Sequence, residues 1–390
     1  MKNYKKFLVV VCFVLSLLSL HAHAETANPE KGVWVSVFTD KEVLYSRKAA
    51  SELIDTCKQA GISDIYLQIY QSGKAYYDSP THDKSKYSKL FREKDKDALD
   101  FIIAEASVNN IRVHAWVNLL SLGLNEDALI IAKHGRSILT RDQYLRASGR
   151  KNPNESDEYY LREDQLFLEP GDPRVSDFLL AVAQEIMNRY PGFSGIHLDY
   201  VRYPMTVPFI PSSKFTKFGI SYGYGQKNIE RFRQTRGIDV LEGLNEDKDF
   251  ALWDQWRRDQ ITSLVERINR EVGKKHKGFK LSAAAITAAE RAYSSMFQDW
   301  PLWLEEGIVD HVVLMNYSKD DHLVKEITRA ANAYNAKGKV YIGLGFFLMP
   351  DNLDKFYRQY ESVKDLAPEA IVLYSYDNIT PKTIAFLKKN

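Results

Sequence analysis

The sequence predicts a (β/α)8 TIM barrel, a single domain over residues 30–390 with long βα loops, and three observations carry that prediction. Eight short runs rich in β-branched and aromatic residues recur along the chain. Amphipathic stretches with apolar residues at helical spacing separate them, the alternation that builds a parallel sheet from βα units. No glycine-rich phosphate turn follows the first run, so an open doubly wound sheet with a nucleotide cofactor gains no support.

In order, the strands are VWVSVF (33–38), DIYLQIY (64–70), IRVHAWVNL (111–119), GIHLDY (195–200), LSAAAI (281–286), HVVLMNY (311–317), VYIGLGFF (340–347) and AIVLYSYD (370–377). Helical patterns fall at 47–61, 96–110, 175–190 and 249–273, with stop signals at Gly61 and Asn109-Asn110. Period-2 alternation places Trp34, Ser36 and Phe38 of the first strand in the lumen. Tyr66, Gln68 and Tyr70 follow from the second, and Arg112, His114, Trp116 and Asn118 from the third. In the fourth, Gly195, His197 and Asp199 share the inner face, with Asp199 last. Barrel active sites form at the C-terminal strand ends, which is where Asp199 falls. Long segments follow the third strand (121–165) and the fourth (205–227); the aromatic residues of the latter suit an ordered cleft wall.

Residues 1–24 combine Lys2, Lys5 and Lys6, an apolar run and the closing Ala22-His23-Ala24, the pattern of a secretory signal peptide. The expectation is an exported protein, periplasmic or extracellular, with no membrane anchor. Cleavage would remove three lysines and no acid, taking the net charge from +2 to −1. A near-neutral chain lacks the basic footprint of a nucleic-acid binder. Only Cys57 would remain of two cysteines, so neither an internal disulfide nor a cysteine metal cluster is expected. No cofactor and no protein partner are indicated. The 23 tyrosines suit a carbohydrate polymer, since a ring face packs on sugar C–H groups while the hydroxyl bonds sugar oxygens.

An acid at a barrel strand end beside such residues points to glycoside hydrolysis, which uses two carboxyl groups. Asp199 is the first candidate, and the competing reading is an ion pair with Arg202 that locks the strand end. The pattern FSGIHLDYVRYP (193–204), with GVWVSVF, RVHAWVN, EPGDPRV and VDHVVLMNYS, resembles glycosyl-hydrolase-like family 10, exported (β/α)8 proteins named as glycosidases. The wider resemblance is to α-amylase and α-galactosidase barrels, whose strand-four Asp is the nucleophile. That resemblance implies the same role for Asp199, with His197 positioning it or the sugar.

The second carboxylate is less clearly marked. Strand five carries none, and the options are Glu290 in its loop, Asp320 or Asp321 after strand six, Asp377 after strand eight, and Glu169 in FLEPGDP. The α-galactosidase resemblance implies an acid after strand six, hence Asp320. Sugar-stacking candidates are Trp34, Tyr70, Trp116, Tyr200, Tyr203 and Tyr317. Candidates to bond hydroxyls are Gln68, His114, Asn118, His197, Arg202 and Asn316. His114 and His197 with Asp199 also permit a metal reading, without a compact ligand-spacing motif. The rival to an enzyme is a non-catalytic carbohydrate-binding barrel, favoured by the missing acid on strand five.

Overall fold

The computed structural model describes residues 28–149, 163–205, 220–242, 244 and 247–390. The expected signal segment, and parts of both long loops, lie outside the described residues. Eight parallel strands close on themselves: β1 (Glu30–Val35), β2 (Asp64–Gln71), β3 (Arg112–Asn118), β4 (Gly195–Asp199), β5 (Lys280–Ala285), β6 (His311–Asn316), β7 (Lys339–Gly345) and β8 (Ala370–Tyr374). Each pairs with its sequence neighbours, and β1 pairs with both β2 and β8, which removes the sheet edge. The helices that follow them are α1 (Arg47–Ala60), α2 (Ala98–Val108), α3 (Pro173–Arg189), α4 (Asp247–Ile268), α5 (Trp300–Glu306), α6 (Asp321–Asn332), α7 (Leu353–Lys364) and α8 (Pro381–Lys389). The chain is therefore a (β/α)8 barrel, with every expected strand present. No helix among the described residues is long and apolar enough to cross a membrane.

Local chemistry sets the helix ends. Ser46 accepts the Ala49 N–H to start α1, and Gly61, at φ 67°, closes it in the left-handed region open to glycine. In the GDP turn, Asp172 accepts the Arg174 N–H and Pro173 supplies a first helical residue that needs no donor. Apolar strand residues such as Val33, Ile65, Val113 and Ile196 face outward into the main core beneath these helices. A satellite core of Trp253, Trp256, Phe232 and Tyr224 joins α4 to a short helix, 226–236, in the loop after β4.

The lumen is aromatic and polar rather than aliphatic. At its N-terminal end Asp64 accepts from His114 Nε2 at 2.9 Å and from Arg112 Nε at 2.7 Å. Burial pushes the Asp64 carboxyl up, but the His114 and Arg112 bonds prevail and hold it well below the usual range. Tyr66 stacks on His114, with centroids 5.0 Å apart, and its hydroxyl meets His311 Nε2 at 2.9 Å. One layer higher, Trp34 Nε1 donates to His197 Nε2 at 3.1 Å, while His197 Nδ1 meets Ser282 Oγ at 2.9 Å.

Tyr70 departs from the expected alternation. The β2–β3 register shifts between Gln68 and Tyr70, so Gln68 stays in the lumen and Tyr70 turns into the outer core, edge-on to His82. Strand β4 has a point of very close approach to β5. A Cβ on Gly195 would lie 1.8 Å from the Lys280 carbonyl oxygen of β5. Gly195→Ala must therefore push two paired strands apart, and a loss of about 3 kcal/mol is expected in denaturant unfolding.

Candidate active site

The C-terminal strand ends open into a cleft of about 1010 Å³. Cross-strand pairing builds its floor: Asn118 at the end of β3 lies opposite Asp199 at the end of β4, and Trp116 lies opposite His197. Asp199 Oδ2 accepts from Trp116 Nε1 at 3.1 Å, and Oδ1 accepts the Tyr200 N–H at 2.7 Å. Tyr200 adopts φ 51°, a left-handed conformation that costs a non-glycine residue about 1 kcal/mol. It turns the chain off the strand directly after Asp199, where such strain is often found. With no further donor among the described residues, each carboxyl oxygen keeps one site for a proton or a substrate atom. Burial pushes the Asp199 carboxyl above its ordinary value, against the Tyr200 N–H, the Arg202 charge and the Trp116 bond; the Glu163 charge adds to the rise.

Arg202 does not lock Asp199. Its two terminal nitrogens grip Glu163 at 2.9 and 3.0 Å, and the Met205 N–H donates to the same carboxylate at 2.6 Å. The guanidinium also lies over the Tyr200 ring, 4.9 Å from its centroid. This fork ties the end of the post-β3 loop to the start of the post-β4 loop, leaving Asp199 to the Trp116 and Tyr200 donors. Asp164, the next residue, is exposed and lines the cleft, with no hydrogen bond from its side chain to another described residue. Neither Glu163 nor Asp164 was singled out from the sequence, because the loop that carries them has no periodicity.

Aromatic rings complete the floor. Tyr374 at the end of β8 stands edge-on to Trp34 at 5.8 Å and Trp116 at 6.3 Å, and stacks on Tyr317 at 5.6 Å. Phe38, 68% exposed, lines the same cleft and offers an apolar face to a ligand. Of the expected sugar contacts, Trp34, Gln68, Trp116, Asn118, Tyr200, Arg202 and Tyr317 line the cleft together with Asp199.

Others are placed elsewhere. His114 is held by Asp64 in the lowest lumen layer. His197 lies beneath Trp34, and both its ring nitrogens have protein partners. Burial, then the neighbouring His311 and His114, keep it well below the ordinary histidine value. His114, His197 and Asp199 therefore occupy successive layers and do not converge as metal ligands. Tyr203 is buried against Glu169 at 2.7 Å. Asn316 faces outward, donating to the Val324 carbonyl and Thr328 of α6, and its lumen-side neighbour Met315 lines the cleft instead.

The expected partner acids also lie outside the cleft lining. Asp320 caps α6, accepting the His322 and Leu323 N–H groups. Glu290 lies in the first turn of the helix 289–295 and lines a separate apolar cavity of about 250 Å³. Asp377 sits in a turn after β8, bonded to Thr39 and Ser375. Glu169 is buried among the loops.

Comparison with known proteins agrees with this architecture. A family model described as Glycosyl hydrolase-like 10 matches residues 29–361. The chain is 24% identical over 335 residues to Glycosyl hydrolase YngK of Bacillus subtilis (strain 168), spanning 80% of this chain and 58% of that protein. It is 20% identical over 375 residues to Glycosyl hydrolase DigH of Escherichia coli (strain K12), spanning 83% and 74% of the two chains. Among solved structures, the PgaB (BpsB) glycoside hydrolase domain of Bordetella bronchiseptica superposes with a TM-score of 0.65 at 14% identity, covering 92% of this chain and 98% of that one. The β-amylase catalytic domain of Paenibacillus polymyxa gives 0.58 at 12% identity, covering 93% and 97%. These likenesses show a shared fold, and the family match covers most of the sequence: the chain belongs to the glycosyl hydrolase-like 10 family.

Proposed function

We propose that the protein is an exported glycoside hydrolase, acting in the periplasm or outside the cell on a polysaccharide or cell-wall glycan. The observation that carries this reading is Asp199: a carboxyl group with a raised pKa, open to an aromatic cleft at the end of β4. Burial favours its protonated form and outweighs the Trp116 and Tyr200 hydrogen bonds, as a general acid requires. Asp199 delivers its proton to the glycosidic oxygen as the bond to the anomeric carbon breaks. The exposed Asp164 carboxylate supports the positive charge that develops on the sugar and takes the proton of the water whose oxygen bonds to the anomeric carbon. The relatives named as glycosyl hydrolases support the same chemistry, and the pattern of residues 1–24 supports export.

The test is to incubate the purified protein with a panel of polysaccharides and peptidoglycan and to identify released saccharides by mass spectrometry. Release from one polymer is expected. Retained binding without release would instead favour the carbohydrate-binding barrel. On the substrate so found, Asp164→Ala is expected to lower kcat by about a hundredfold, the lower end of what a positioned acid–base group contributes. Added azide, a small anion that can enter the vacated space, should restore part of the rate.

A further inference from the structure

The polarity of one cleft residue is set by the main chain just beyond the end of β1. The Val37 N–H donates to Gln68 Oε1 at 3.1 Å, and Ser36 Oγ donates to the same oxygen at 3.1 Å. A backbone N–H cannot exchange roles, so Gln68 must turn its oxygen toward β1 and its amide nitrogen toward β3. That nitrogen donates to Asn118 Oδ1 at 3.1 Å. Asn118 is 6% exposed, lies opposite Asp199 across the β3–β4 pair and lines the cleft. With its oxygen engaged by Gln68, its Nδ2 has no partner among the described residues. Reversing either amide would set two donors against each other.

We propose that Gln68 is a positioning residue that fixes Asn118 as a hydrogen-bond donor, so that the subsite at Asp199 selects a sugar presenting a hydroxyl or acyl oxygen to Asn118. This rests on the glycosidase reading and adds a specificity determinant to it. Gln68 then acts on the sugar only through Asn118, and a site built around a fixed donor discriminates against a substrate lacking the matching oxygen.

A double-mutant cycle tests the proposal on whichever panel polysaccharide the wild type degrades. Gln68→Met, which is unbranched and uncharged, frees Asn118 and is expected to lower kcat/KM by about tenfold, the value of one hydrogen bond. In an Asn118→Leu background the same change should cost nothing further. Equal losses in both backgrounds would overturn the proposal, because Gln68 would then act independently of Asn118. A neutron structure of the wild type supplies a readout that needs no activity. Deuterium on the Gln68 nitrogen facing Asn118, with both Asn118 deuterons toward the cleft, is expected, and the reversed amides would overturn the assignment. If no polymer is degraded, the glycosidase reading fails while the neutron map still decides the polarity.

Discussion

Asp199→Asn is expected to fold as the wild type does and to lose saccharide release by about a thousandfold, within the range a positioned proton donor contributes. The substitution preserves shape but removes the transferable proton. Its amide oxygen can accept from either Trp116 or Tyr200, while its nitrogen confronts the other donor. A stability loss of about 1 kcal/mol follows, small enough to leave the cleft intact. The wild-type pH profile should also carry the signature of the acid. With its pKa raised by burial, Asp199 remains protonated above the usual aspartate range, and kcat falls as pH rises through that raised value. The variant should lack this alkaline limb. A folded Asp199→Asn protein within threefold of wild-type kcat would show that the proton comes from elsewhere.

The second large effect concerns stability. Glu169, 1% exposed, accepts from the Tyr203 hydroxyl at 2.7 Å, Thr140 Oγ1 at 2.8 Å, the Gly171 N–H at 3.1 Å and the Gly225 N–H at 3.2 Å. Thr140 belongs to the segment after β3, and Tyr203 and Gly225 to the loop after β4, so one carboxylate holds both long loops together. Glu169→Ala leaves two backbone donors buried without partners while the hydroxyls can rotate. A loss of about 4 kcal/mol is expected, which for a chain of this size lowers Tm by about 5 °C. Burial pushes the Glu169 carboxyl up against its four hydrogen bonds. Its favourable contribution is therefore full below the ordinary glutamate value of about 4.3 and is lost as pH rises through the raised one. Glu169→Gln should remove that slope. An unchanged Tm in Glu169→Ala would mean that the loops are held by other contacts.

The barrel was legible because its signals are local and periodic. All eight β-rich runs became strands, and the pattern at 47–61 became α1 with Gly61 as its cap. Asp199 was legible for the same reason, since alternation from Gly195 through His197 puts it inward and last. Other site features depend on events that alternation does not encode. The irregularity after Gln68 sends Tyr70 outward. Asn316 needs no such event, since, with Val313 and Tyr317 inward, alternation itself puts Met315 on the cleft and Asn316 against α6. Asp320 carries a carboxylate in a plausible sequence position, yet two helix N–H groups occupy it. Glu163 and Asp164 take their place through a fork from Arg202, 39 residues further along the chain, a tertiary contact with no local pattern.

Hydrolysis in water enriched in oxygen-18, with the products weighed by mass spectrometry, tests the central claim most directly. The wild type should release saccharides whose new reducing ends each carry one heavy oxygen, and folded Asp199→Asn should release almost none. Unlabelled products that are one water lighter would mean elimination rather than hydrolysis. Equal labelled release by both proteins would remove Asp199 from the reaction.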